Sequence, residues 1–458
     1  MRAILTAERL AGLRSRSAHL LGYPDDALAE AGTRGSLMTT GSSLLLAGLL
    51  LAGSGDGSDW ARWGGPSGDF KVTAGGAIAE AWPETGPKLL WEAELGDGYS
   101  AILHRDGRLY TMYRDASLPV GVEIITALDA ATGETIWDFA YTAGRYANMD
   151  RSFGEGPNAT PLLLSDRIVS IGIAGKVNCL DLDSGDPLWE LDLHEAFGRQ
   201  ARREEYGYSG SPLEYDGTIL VLVGGDEQAV VALDPADGSV VWGSGPGRVS
   251  YAPPTLLRLA GRDQFVYFSP TEVIGLDPTD GKKLWSYPVL CVTENNLTAV
   301  VECGDDHLWV ACQLDGGTRV LAIREEEGEL RPEALWTSRR LKQGHWNSIH
   351  LGDHVYGSLG DSSSQLGAVN WRTGEIAWRE RGFHAAQVLY ADEKLIFVEE
   401  SGALVVARIA PSGIDVMCQF QLLEEVAWTV PTLIGTTLFV RDRKRIMALD
   451  LSRDAYSG

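Results

Sequence analysis

The sequence predicts an all-β fold, an eight-bladed β-propeller of four-stranded antiparallel blades. Three observations carry that expectation. A pattern with a small residue first, Asp or Asn third, Gly seventh and Trp eleventh recurs along the chain, as in ALDAATGETIW at 127–137. The anchor positions that end the copies lie 39 to 53 residues apart, which brackets the period of a four-stranded blade. One copy is divided between the two ends of the chain, which is how a ring of blades closes without an open edge.

The complete copies are ALDAATGETIW (127–137), CLDLDSGDPLW (179–189), ALDPADGSVVW (232–242), GLDPTDGKKLW (275–285) and AVNWRTGEIAW (368–378). Two are degenerate: AIREEEGELRPEALW (322–336) is four residues longer, and ARIAPSGIDVM (407–417) ends in Met. The divided copy joins ALDLS (448–452) to GPKLLWEAEL (86–95). The anchors are therefore Trp91, Trp137, Trp189, Trp242, Trp285, Trp336, Trp378 and Met417. Between them run eight alternating apolar stretches, such as GRLYTMY (107–113) and TTLFVRD (436–442), most of them after a Gly or Asp turn.

Each motif position has a physical reason. The small residue fits a crowded strand contact. The Asp accepts hydrogen bonds from turn amides, and the Gly supplies positive φ. The Trp opens the outer strand and docks on the neighbouring blade. An indole buries roughly 150–250 Å², which amounts to about 4–6 kcal/mol gross per anchor.

In chain order, residues 1–58 read as a leader. The apolar run at 43–53 (SLLLAGLLLAG) resembles the core of a secretory signal, and Ala52 and Ser54 follow the small-residue pattern of a cleavage site. The run is too short to span a bilayer comfortably, and Met38 is a candidate alternative start. No cysteine follows the run, so a lipid anchor is not expected, and an exported, periplasmic or cell-envelope location is. Residues 59–85 form a lead-in segment and 86–458 one propeller domain, expected to be a monomer.

Composition narrows the function. The formal net charge is −24, with 63 acidic and 39 basic residues, so a phosphate backbone would be repelled and nucleic acid is not an expected partner. The propeller has no basic cluster beyond short pieces such as Arg441 to Arg445. The five cysteines (179, 291, 303, 312, 418) show no C-x-x-C spacing, so neither a zinc site nor an obligatory disulfide is expected. GLDPTDGKK (275–283) and DLDSGD (181–186) resemble phosphate and calcium loops, but both fall in register with the repeat and read as turns. His345 and His350, five apart on a strand, face opposite sides and make a poor metal pair.

Function is expected where the repeats differ. The starts of the inner strands carry Tyr99, Asn158, Tyr208, Tyr251, Asn296, His345, Trp346, His384 and Trp428. These aromatic, amide and imidazole groups would converge on one channel mouth and suit a ligand or peptide, or would line the channel by packing and hydrogen bonding. Two long connections, 142–156 and 193–207, stand on the same face as candidate lips.

The A-x-D-x-x-x-G-x-x-x-W repeat with its split closure resembles the docking motif of the pyrroloquinoline quinone (PQQ)-like, quinoprotein-type eight-bladed propellers. DWARWGGPSGDF (59–70) resembles the start of exported bacterial PQQ-like repeat proteins. The resemblance covers residues 59–452 and implies the fold more strongly than any activity. It implies either a non-catalytic scaffold that binds a protein or small ligand, or a PQQ-dependent dehydrogenase with a divergent site, or an outer-membrane barrel-assembly scaffold. The dehydrogenases hold PQQ with calcium in the channel, use an aspartate base and carry two adjacent cysteines over the quinone. This sequence has no Cys-Cys pair and no acidic and amide set at matching spacings, so no cofactor, metal ligand or catalytic residue is expected.

Overall fold

A computed structural model describes residues 59–118, 121–144, 154–197, 206–225, 228–245, 247–248, 251–289, 296–304, 306–313, 316–344, 346–360 and 365–456. The signal-like run, Cys291, His345 and the centres of both long connections lie outside them. The described chain forms eight antiparallel sheets of four strands, and the chain belongs in each case to one sheet at a time. Blade 1 consists of Leu103–Arg105, Arg108–Tyr113, Val122–Asp129 and Thr135–Thr142, paired in chain order from the inner to the outer strand. The third strand is buried almost throughout because it lies between neighbouring blades, whereas the outer strand buries Trp137 and Tyr141 and exposes its ends. Blades 2 to 7 repeat this order.

Blade 8 is assembled from both ends of the chain. Thr432–Ile434, Thr437–Arg441 and Arg445–Asp450 supply three strands, and Lys88–Glu94 supplies the outer one. Trp91 stands opposite Ala448, as Trp137 stands opposite Ala127. Immediately beyond each of these pairs the register shifts at a bulge. The same bulge follows Trp189, Trp242, Trp285, Trp336 and Trp378.

The indole nitrogens reach across the seams. Trp91 donates to Ala130 O at 2.9 Å, Trp137 to Leu182 O at 3.2 Å, and Trp189 to Pro235 O at 2.8 Å. Trp336 donates to Trp371 O at 2.7 Å and Trp378 to Ala410 O at 2.8 Å. The ring also covers the motif glycine of the next blade: a Cβ at Gly133 would lie 2.5 Å from Trp91, and one at Gly185 would lie 2.5 Å from Trp137. The glycine is thus required twice, by a φ of +74° at Gly133 and by the indole above it. Asp129 Oδ1 accepts from Ala131 N and Thr132 N at 2.9 Å, which shapes the turn beneath.

Three anchors depart from the pattern. Trp242 covers Gly281, but its Nε1 is buried without a partner among the described residues. Trp285 turns back into its own blade, lies against Gly275 and donates to Gln264 Oε1 at 2.6 Å. The next blade offers no glycine turn there, because the four-residue insertion extends its hairpin, Thr318–Glu326 with Glu329–Ser338, outward. In blade 7, Val406 pairs with Cys418 at the bulge, so Cys418 rather than Met417 stands where Trp378 stands in blade 6. An aromatic ring still covers the next glycine, since Phe420 lies 2.6 Å from a Cβ at Gly86.

The lead-in segment crosses the far ends of the inner strands. Trp60 bridges to His104 in blade 1, Ala61 O accepts from Leu163 N in blade 2, and Lys71 bridges to Tyr390 in blade 7. The segment then leaves between blades 7 and 8, where Ile78 bridges to Ser452, and continues into the outer strand of blade 8. Trp60 and Ile78 belong to the largest hydrophobic cluster, which also takes in blades 7, 8, 1 and 2.

Candidate functional site

The central channel has two unlike ends. At the mouth, the inner-strand starts engage one another blade by blade. Tyr99 stacks on Trp428 at 5.0 Å between centroids, and its backbone N–H donates to Pro157 O. Burial pushes the Tyr99 phenol up to about 12. Asn158 Nδ2 donates to Tyr206 O at 3.1 Å, Tyr206 packs edge-on against Tyr251, and Tyr208 OH donates to Val223 O at 3.2 Å. Asn296 is fully buried and donates to Ser269 O at 2.8 Å, while its Oδ1 has no partner among the described residues. Trp346 is buried and its carbonyl accepts from Gln343 Nε2, whereas His384 is exposed. These residues line successive seams between blades.

Charged groups hold the mouth on the side of blades 8, 1 and 2. The Arg441 guanidinium is buried in the closing seam and donates to Ser100 O, Thr111 Oγ1, Met112 O and Gly96 O, all at 2.7–3.3 Å. Burial lowers its pKa to about 10. Arg443 grips Asp97 through two bonds, at 2.5 and 2.8 Å, and that pairing raises its pKa. Arg114 pairs with Glu155. Glu123 is buried between blades 1 and 2, accepts from Tyr141 OH at 2.6 Å and from Ile173 N at 3.2 Å, and is pushed up to about 7 by burial, against the opposing pull of these bonds.

At the other end the lead-in segment folds into a compact loop. Gly64, Gly65 and Gly68 all take positive φ, and Phe70 N donates back to Gly64 O at 2.9 Å. The Trp60 ring lies beneath it, 3.1 Å from where a Cβ at Gly65 would be. Between this loop and the inner strands of blades 3 to 6 lies a cavity of about 370 Å³. Its walls are Trp63 and Phe70, packed edge-to-face at 4.7 Å, with Leu213, Leu256, Val300 and Val301. Its polar lining includes Arg62, Lys71, Thr255, Glu302, Asn347 and His350. Lys71 is tied to Asp69 at 2.7 Å. Burial lowers the pKa of Arg62 and of His350 and raises that of Glu302.

None of the eight described mouth residues lines this cavity. The sequence reading missed it because its walls come from four blades and from a segment noted only for its resemblance. The glycine spacing of WGGPSGDF was the available signal.

PQQ, a tricarboxylate, calls for cations or a bound ion. The mouth arginines are already engaged by carbonyls and carboxylates of the ring, and among the described residues no three His, Cys, Asp or Glu side chains are grouped to hold a metal. The residues at the mouth do not fit that group.

Comparison with known proteins agrees with this architecture. The family model described as outer membrane protein assembly factor BamB matches residues 121–380. The BamB of Yersinia pestis is 24% identical over 288 residues, which span 58% of this chain and 67% of the relative. That of Burkholderia pseudomallei (strain K96243) is 24% identical over 291 residues, 52% of this chain and 71% of the relative. Among solved structures, BamB from Moraxella catarrhalis aligns with a TM-score of 0.55 at 15% identity, over 80% of this chain and all of that one. The quinohemoprotein alcohol dehydrogenase from Comamonas testosteroni also gives 0.55, at 11% identity, over 87% of this chain and 81% of that one. At such identities the structural likeness concerns the fold.

Proposed function

Because the chain belongs to the family of the outer membrane protein assembly factor BamB, we propose that it is an exported, non-catalytic propeller that binds a partner protein at its channel mouth and rim. The observation that carries this reading is the construction of the mouth. Its aromatic, amide and charged groups are used to join blades at one rim, and the described ends of the long connections 142–156 and 193–207 join that rim through Glu155 and Tyr206. A rim of joined blades that carries long connections suits protein recognition, because the scaffold positions the loops that make contact. The signal-like run at 43–53 supports an envelope location. Among the described residues no helix is long and apolar enough to cross a membrane.

A photo-crosslinking amino acid at His384, exposed at the mouth, should capture a discrete envelope protein in living cells. The same probe at Arg331, on the exposed hairpin of blade 5, should not. Equal capture at both positions, or none at His384, would overturn the reading. So would tight binding of added PQQ and calcium with dye-linked alcohol oxidation, which is the outcome expected of a dehydrogenase.

A further inference from the structure

The cavity beneath the lead-in loop is separate from the proposed rim, and two of its polar groups lack a hydrogen-bond partner among the described residues. The Arg62 guanidinium is partly buried at the cavity wall, and the carboxylates of Glu214 and Asp69 act on it through space, but no hydrogen bond among the described residues fills its fork. The Thr255 hydroxyl is buried and has no partner there either. A satisfied protein rarely leaves such groups idle. An arginine fork with no hydrogen-bond partner in particular is matched by a planar, two-oxygen anion.

The remaining charges at the cavity differ in kind. Lys71 is neutralised by Asp69, and its ammonium also lies 3.5 Å from His350 O. Glu302 is exposed at the edge. The inner wall is aromatic and aliphatic, from Trp63, Phe70, Leu213 and Leu256. The chain as a whole is strongly acidic, so a small anion would be drawn to this place by the local arginine and not by the general field. The volume falls in the range of small-molecule sites.

We propose that the cavity binds a small organic carboxylate with an apolar or aromatic body. Arg62 receives the carboxylate, Thr255 donates a further hydrogen bond, and Trp63 and Phe70 enclose the body. The site lies on the closed side of the ring, so it can be filled while the mouth holds a partner.

Calorimetric titration of the full-length protein with 3-phenylpropionate and with its neutral amide tests this. The acid should bind one to one, tighter than about 1 mM, and the amide at least about tenfold more weakly, as the loss of a charge-assisted pair requires. Arg62→Met should lower the affinity for the acid by a similar factor, and Thr255→Val by a smaller one. The comparison of acid with amide needs no variant, so it decides the matter even if Arg62→Met fails to fold. Equal binding of acid and amide, no binding of the acid in that range, or full affinity in folded Arg62→Met would each overturn the proposal. None of these outcomes bears on capture of a protein at the mouth.

Discussion

The mouth and the closed end of the channel are held by opposite means. At the mouth, blade 8 meets blade 1 through charged side chains, chiefly Arg441, whose partners lie 329–345 residues away along the chain. At the closed end, one contiguous segment seals the ring with the Trp60 indole, the Phe70 ring and a few backbone hydrogen bonds. A polar network is satisfied or it is not, so its loss should be abrupt and insensitive to side-chain volume. An apolar seal depends on volume, so its loss should be graded.

The sharpest way to break this comparison is at Arg441. Arg441→Met keeps most of the length of the side chain but removes the guanidinium donor from the carbonyls of Gly96 and Met112 and leaves Ser100 O with Thr111 Oγ1 alone. It should lower stability by about 4 kcal/mol, read as a fall in the urea midpoint. Arg441→Lys keeps the charge without the fork and should recover only part of this. A loss below about 1 kcal/mol in Arg441→Met would mean that strand exchange alone closes the ring.

The closed end should respond by size. Trp60 is 1% exposed, and its Nε1 has no hydrogen-bond partner among the described residues. Trp60→Ala should cost about 3 kcal/mol. Trp60→Phe, which loses no hydrogen bond, should cost less than about 1.5 kcal/mol. Urea denaturation of the two variants side by side checks the gradation, and equal losses would contradict it.

The same division governs what could be read from the sequence. The repeat places its Asp, Gly and Trp within eleven residues, so blade number, strand closure and most anchors are visible as local spacing. What the spacing cannot show is the state of the neighbour. Trp285 sits in an intact motif, yet it turns back to Gln264 because the following hairpin is extended and its turn glycine, Gly328, stands clear of other groups. Met417 follows from ungapped alignment, but the strands pair Val406 with Cys418. Arg441 to Arg445 is visible as a short basic piece in an acidic chain, but only the closed ring supplies its partners. The mouth positions can be picked out in the sequence because they recur at the starts of inner strands, but what they bind cannot. The cavity was not legible, because Arg62 and Thr255 are 193 positions apart in the sequence and meet only across the channel.

A smaller effect separates the two ends by pH. Glu123 has its carboxyl buried at the mouth side, beside Gly172, where a Cβ would stand 2.7 Å from both Glu123 Oε2 and Tyr141 OH. Its folded pKa of about 7 lies above the ordinary 4.5. As pH falls through 7, the native protein takes up this proton while the unfolded chain does not, so stability rises. The gain is complete below about 4.5, where both states are protonated. Above pH 7 the carboxylate is ionised in both states, and the native state carries the cost of burying it. Glu123→Gln carries no such charge. The stability of the native sequence relative to Glu123→Gln should therefore fall by on the order of 2 kcal/mol between pH 5 and pH 8. Taking the difference between the two proteins at each pH cancels every other titrating group. Trp60→Phe, carried through the same series, should show no such trend. If the difference for Glu123→Gln is flat from pH 5 to pH 8, or rises, the carboxyl is hydrated in solution and the mouth is looser there than the buried contact with Tyr141 requires.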